Sequence, residues 1–383
     1  MHVDGRGYVG ACRGISLLCD GCCFFSGGYI NHTTSRLCWF TQANSQFTTS
    51  RLLPRILVPL HTTRIMAEIK AVFGGAAFPN GAYADAKVQA EALDVLQKAG
   101  VNVIDTARLY AGSEEAIGKL EGRTNFTIDT KLKGGFDKGN LGKDQVIKDI
   151  DDSLQKLRIP QVDILYIHAP DDSIPVADTL AGIDAAFKKG QFRRFGLSNF
   201  TPQQVQEVYD IASEKGYVKP TVYQGNYSPV ARHLETILFP TLRKLGIAFY
   251  AYSPLAGGFL TKTPADLDAG AGRFNEQAIG GMYLRLYNKP SLRAALGEWN
   301  KIAEAEGVSK AELAYRWVGY NSALKAELGD AVIFGASKIS QIEQTAGGLK
   351  KGALSKSAAE KIDEIWESVK KEAPTDNFGA NVA

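Results

Sequence analysis

Eight short apolar runs alternate with amphipathic segments from Ile69 onward, and that order leaves few folds open. The runs are "IKAVFG", "VNVID", "NFTIDTK", "VDILYIH", "FRRFGLSN", "TVYQGN", "IAFYAYSP" and "AVIFGAS". Helical periodicity falls between them at 84–99, 113–120, 143–157, 176–189, 202–215 and 238–245, then at 292–306 and 310–320 after a long insertion, and at 339–349 beyond the last run. Nearly continuous apolar strands separated by helices imply a parallel sheet covered on both faces. Eight such units predict an α/β fold, a closed (β/α)8 TIM barrel with a long loop after strand 7 and a C-terminal helix. Its active site lies at the C-terminal ends of the strands.

The polar residues that end these runs then become informative. Asp105 ends the second, Lys131 the third, His168 the fourth, Ser198 and Asn199 the fifth, Gln224 the sixth, and Tyr252 and Ser253 the seventh, while Ser337 follows the eighth. Any one of them alone reads as a turn former or a helix cap. On a closed barrel they share one rim.

Tyr110 stands five residues beyond Asp105, and with Lys131 and His168 the group makes chemical sense. A free phenol has a pKa of about 10, and a nearby ammonium lowers it by favouring phenolate. Lys131 supplies that ammonium, Asp105 keeps it charged and oriented, and His168 as a neutral donor positions a carbonyl oxygen beside the phenol. The set suits protonation of an oxygen that is gaining negative charge. Each member also has a plain structural reading: a loop aromatic, an ion pair across adjacent strands, a satisfied core histidine. A metal site on Asp105 and His168 lacks the second histidine and the carboxylate cluster such sites use, so no metal is expected.

Lys and Arg total 44 against 41 acids, a net charge of +3, which gives no basic field of the kind nucleic-acid binding needs. No run of about twenty apolar residues occurs, so no membrane span is expected. The five cysteines, Cys12, Cys19, Cys22, Cys23 and Cys38, all precede the barrel pattern, which therefore uses no disulfide or catalytic thiol. Residues 1–65 hold Arg6, Arg13, Arg36, Arg51, Arg55 and Arg64 against only Asp4 and Asp20. That composition resembles a mitochondrial transit peptide. The simpler reading is a disordered or non-native extension before a barrel domain at 66–383, with a cytoplasmic location, or a mitochondrial one if the leader is genuine.

The motifs "IDTARLYAGSEEAIG", "DTKLKGG", "DILYIHAPD", "FGLSNF", "VYQGNYSP", "YAYSPLAGGFLT" and "IFGASKISQIEQ" resemble, in order, those of the aldo-keto reductase superfamily. "TVYQGNYSPVARHLETILFP" and "SPLAGGFLT" are most similar to its aflatoxin-aldehyde reductase branch. The resemblance implies a (β/α)8 barrel, NADPH as cofactor, and reduction of aldehydes or ketones with Tyr110 as general acid and Asp105, Lys131 and His168 in support. It further implies that Ser198, Asn199 and Gln224 hold the nicotinamide carboxamide and that Tyr252 stacks beneath the ring. Ser253, Pro254, Leu255, Ala256 and Gly257 would follow the pyrophosphate, with Arg273 closing over the cofactor. Ser337, Lys338 and Gln341 would hold the 2′-phosphate, and Gln344 and Thr345 the adenine.

Three features depart from the family pattern. Gln344 and Thr345 stand where an acid and an amide are common, Lys338 stands where an arginine is common, and the tail "EAPTDNFGANVA" has no arginine. His168 and the loop residues Phe78, Tyr83, Phe136, Tyr283 and Arg285 are expected to meet the substrate. The expected partner is a small carbonyl compound, with no nucleic acid and no membrane, and a homodimer is left open. A channel-regulating barrel of the potassium-channel β-subunit type keeps the same fold and cofactor and is the alternative. A Rossmann dinucleotide enzyme fails on its own signature, since no G-x-G-x-x-G follows a first strand.

Overall fold

The structure, a computed structural model, describes residues 67–379. The expectations for the leader at 1–65, the cysteines among them, fall outside the described residues. Eight parallel strands close into a barrel in sequence order: β1 (Lys70–Gly74), β2 (Val103–Asp105), β3 (Thr127–Leu132), β4 (Val162–Ile167), β5 (Phe192–Ser198), β6 (Pro220–Asn226), β7 (Ala248–Tyr252) and β8 (Ala331–Phe334). Closure is made by β8 against β1, with Ala331 opposite Lys70 and Phe334 opposite Phe73.

Side-chain alternation along each strand divides the apolar residues between two cores. Val72, Val103, Ile164, Tyr166, Val222 and Tyr250 turn inward and fill the barrel. Phe73, Ile104, Ile128, Leu165, Leu197 and Phe249 turn outward against the helices. Helix Lys143–Leu157 shows how the outer layer is read from sequence, because Val146, Ile150 and Leu157 recur at helical spacing and are the apolar residues it buries, beside Asp149 and Ser153. Helix Pro202–Lys215 begins at a reciprocal cap between Thr201 and Gln204, has proline in its first turn, and stops at Gly216 in the left-handed region.

The helices expected at 143–157, 202–215 and 339–349 occupy those bounds, and the C-terminal helix is Lys356–Val369. Two expectations need correction. The segment after β7 is no plain loop, since it winds into helices Pro264–Asp268 and Met282–Tyr287 before helix Pro290–Glu306. The helix expected through 320 ends as an α-helix at Arg316 and widens into a π turn over Trp317–Asn321.

At the N-terminal end of the barrel, Lys70 and Arg194 both donate to the Tyr250 hydroxyl at 3.3 Å, and Arg194 pairs with Asp163. Above that layer the Tyr166 ring fills the space beside Gly196, where a Cβ would stand 2.3 Å from the tyrosine Cδ1. Only glycine leaves Tyr166 its place in the barrel interior. Gly196→Ala is therefore expected to lower stability by about 1–3 kcal/mol, the usual cost of overpacking a filled core, and urea unfolding against wild type checks it.

Candidate active site

Lys131 is fully buried, and its Nζ donates to Asp105 Oδ2 at 2.6 Å and to the Thr106 carbonyl at 2.8 Å. The other Asp105 oxygen accepts from Gln224 Nε2 at 2.9 Å. Ammonium and carboxylate thus tie β2, β3 and β6 together at their C-terminal ends. Lys131 Nζ lies 5.3 Å from the centroid of the Tyr110 ring and 5.6 Å from that of Tyr166, between two aromatic groups. Burial works against the lysine charge, yet Asp105 and then Tyr110 hold its pKa above the ordinary value.

Tyr110 reaches this spot from the turn after β2, and that turn is pinned. The Arg108 N–H bonds the Lys131 carbonyl at 3.2 Å, continuing the ladder beyond the strand. The Arg108 guanidinium donates to the Asp149 carbonyl at 2.8 Å, Asp149 Oδ1 at 3.1 Å, Asp152 at 2.8 Å and Ser153 at 2.9 Å, all on helix Lys143–Leu157. Thr106 and Ser113 join their hydroxyls at 2.7 Å, and Ser113 donates on to the Gly75 carbonyl at 2.9 Å. No motif in the sequence marks Arg108 for this clamp, although it lies inside "TARLY".

His168 meets the Tyr110 ring edge-on, with centroids 5.7 Å apart at 87°. Burial, and after it the Lys131 charge, pushes its pKa well below the ordinary value, so the imidazole is neutral near pH 7. Its Nδ1 is buried with no hydrogen-bond partner among the described residues. The expectation for Tyr110 needs refinement. Burial raises the phenol pKa by more than Lys131 lowers it, and the net direction is upward. The phenol is held protonated, as a proton donor requires.

Two residues expected at the substrate loops are core instead. Phe78 and Tyr83 are 0% and 1% exposed, and their rings pack edge to face at 5.1 Å. Phe136 does lie at the site, 5.0 Å from the His168 ring, and Phe378 of the C-terminal tail packs on it at 5.0 Å. Tyr283 lies on the backbone of Gly257, where a Cβ would meet its ring at 2.0 Å, and its hydroxyl accepts from Arg273 at 3.4 Å. Arg285, on the same short helix, is exposed and donates to the Gly280 carbonyl.

The groups expected to hold a cofactor gather along the same rim. Asn199, at φ 60°, donates to the His168 carbonyl at 2.8 Å and to Ser198 at 3.2 Å, and accepts from the Tyr252 hydroxyl at 3.1 Å. Ser253, Ala256, Gly257 and Gly258 all have positive φ, with Pro254 and Leu255 between them, and the turn is closed by the Ala256 and Gly258 N–H groups on the Ser253 and Leu255 carbonyls at 2.7 and 2.9 Å. The Ser337 N–H and hydroxyl and the Lys338 N–H converge on Gln341 Oε1 at 2.8, 3.1 and 3.2 Å, receiving one oxygen as they would receive a phosphate oxygen. Lys338 and Gln344 are exposed and Thr345 is buried. These residues fit a phosphorylated dinucleotide.

The sequence profile described as "Aldo/keto reductase family" matches residues 70–367. The chain belongs to the aldo/keto reductase family. It is an NADP-dependent oxidoreductase acting on carbonyl groups. Among curated relatives of this reductase, "Oxidoreductase sirO" of Leptosphaeria maculans is 40% identical over 287 residues, 74% of this chain and 87% of that protein. "Aflatoxin B1 aldehyde reductase member 2" of Homo sapiens is 35% identical over 312 residues, 76% of this chain and 85% of that one. A solved aldo/keto reductase from Klebsiella pneumoniae, in complex with NADP and acetate, matches with a TM-score of 0.60 at 22% identity, over 81% of this chain and 97% of its own. That likeness speaks to the fold. No helix among the described residues is long and apolar enough to cross a membrane.

The Arg108 clamp generates a test within this reductase. Arg108→Lys keeps the charge and loses the planar fork. It is expected to lower kcat by roughly tenfold, because a small displacement of a reacting group is enough for that, while the variant stays folded. Steady-state kinetics beside thermal unfolding separates the two effects.

Proposed function

We propose that this reductase converts aldehydes and ketones to alcohols, with the proton supplied by Tyr110. The observation that carries the reading is the buried Lys131 ammonium, 5.3 Å from the Tyr110 ring centroid, with a neutral His168 edge-on to the same ring. A phenol kept protonated by burial, beside a cation that stabilises its conjugate base, is suited to donate and then recover one proton per turnover.

Bound NADPH supplies a hydride to the carbonyl carbon. Tyr110 Oη gives its proton to the carbonyl oxygen, so that C=O becomes H–C–O–H and the phenolate remains. Lys131 stabilises that phenolate, Asp105 and the Thr106 carbonyl keep Lys131 charged and aimed, and Gln224 keeps Asp105 in place. His168 donates a hydrogen bond to the carbonyl oxygen and orients it toward Tyr110. Ser198, Asn199 and Gln224 would hold the carboxamide, Tyr252 the ring, and 253–257 with Arg273 the pyrophosphate. Ser337, Lys338 and Gln341 would take the 2′-phosphate, and Gln344 and Thr345 the adenine. In this reading the catalytic unit is the barrel at 66–383.

Tyr110→Phe removes one proton and little else. It is expected to abolish most carbonyl reduction while NADPH affinity, followed by fluorescence titration, stays close to wild type. Retained turnover would exclude Tyr110 from the step.

Cofactor choice gives a second test. A charge-assisted contact is worth about 1.5–3 kcal/mol, so Lys338→Ala is expected to weaken NADPH roughly tenfold or more and to leave NADH nearly unchanged. Equal losses for both cofactors would mean that Lys338 does not read the phosphate.

A further inference from the structure

Beneath the catalytic pair the barrel holds a second carboxyl that the step above does not use. Asp129 stands on β3 two residues before Lys131, on the same inward face, and its Cα pairs with that of Asp105. It is fully buried. One of its oxygens accepts the Ile164 N–H at 3.1 Å. The other has no hydrogen-bond partner among the described residues, and the Tyr166 ring lies beneath Lys131.

The charged and titratable groups around Asp129 come from every side of the barrel: Lys70 on β1, Asp105 on β2, Lys131 on its own strand, Asp163 and Tyr166 on β4, and Arg194 on β5. The cations are already engaged. Lys131 holds Asp105, Arg194 holds Asp163, and Lys70 donates to Tyr250. A second carboxylate beside Asp105 in this dry interior would have no cation of its own, and an unpaired buried charge gives way to its neutral form. Burial, then Asp105 and Asp163, pushes the Asp129 carboxyl up to about 8, against the pull of Lys70 and Arg194.

We infer that Asp129 is a positioning residue that works in its protonated form, leaving the Lys131 charge committed to Tyr110. When it ionises, a second carboxylate competes for Lys131, the phenolate left after proton transfer loses stabilisation, and the step slows. The inference rests on Tyr110 as proton donor.

The test is the single-turnover rate of NADPH oxidation by the full chain between pH 6.5 and 9, with 4-nitrobenzaldehyde as the probe carbonyl. Wild type is expected to lose at least threefold across that range with an inflection near the ionisation of Asp129. Asp129→Asn is expected to stay within twofold of wild type at pH 6.5 and to lack that inflection. An unchanged inflection in the variant, or a flat wild-type profile, would overturn the inference. If Tyr110→Phe retains turnover, the underlying reading fails. If Tyr110→Phe is dead but Asp129→Asn keeps the inflection, only the role of Asp129 fails.

Stability supplies an independent readout. An acid whose folded pKa is raised is more protonated in the native state than in the unfolded chain between the two values, here from about 4 to about 8. Its contribution to stability therefore falls as pH rises through that window. The Tm of Asp129→Asn should gain on wild type from pH 5 to pH 8, and a constant difference would count against the inference. Should the variant fail to fold, the wild-type infrared spectrum decides, since a protonated buried carboxyl must show its carbonyl band at pH 7 and lose it by pH 9.5. Absence of the band at pH 7 would overturn the inference.

Discussion

The site depends on one buried ion pair. Lys131 and Asp105 sit 2.6 Å apart with side chains 0% and 4% exposed, where each charge has lost most of its water. Desolvation of such ions costs several kcal/mol apiece, and a pair with poor geometry would not recover it. Here each ion gains a further hydrogen bond, from Lys131 to the Thr106 carbonyl and from Gln224 to Asp105. Removing either partner would strand a charge in the barrel. The pair thus fixes the ends of three strands and creates the field in which Tyr110 and His168 act.

That field explains why the neighbouring groups differ in protonation although all are desolvated. Desolvation favours the neutral form of Lys131, Tyr110 and His168, and of these three Lys131 alone stays charged because Asp105 outweighs it. The same cation drives His168 further toward neutrality and draws Tyr110 back toward its phenolate. Burial together with one fixed charge therefore sets a neutral imidazole beside a phenol that burial keeps protonated. The barrel contributes rigidity, and the turn after β2 contributes aim through Arg108.

Much of this could be read from the chain before any coordinates. Apolar runs closed by a single polar residue, such as "VNVID" and "VDILYIH", marked strand and rim together, because a parallel barrel strand is buried on both faces and opens only at its end. What stayed hidden depends on contacts between distant positions. Gln224 meets Asp105 across 119 residues, and Arg108 meets helix Lys143–Leu157 across 41 to 45. Phe78 and Tyr83 looked like loop aromatics, and only the folding of their turn onto Phe73 buries them. Asp129 lies two residues before Lys131 in "TIDTK", so strand alternation already puts both on one face. What the strand does not show is that the cations beneath are engaged elsewhere, Arg194 with Asp163 and Lys70 with Tyr250.

The central claim is that Lys131 acts on the Tyr110 phenol through space. It is tested most directly by following that phenol itself, with ring-labelled tyrosine and carbon NMR, through a pH titration of wild type and of Lys131→Met. The account predicts that Tyr110 ionises at a pH about one unit or more higher in the variant, the shift expected when a cation within a few ångströms of a phenol is lost. Superimposable Tyr110 titrations in the two folded proteins would contradict it.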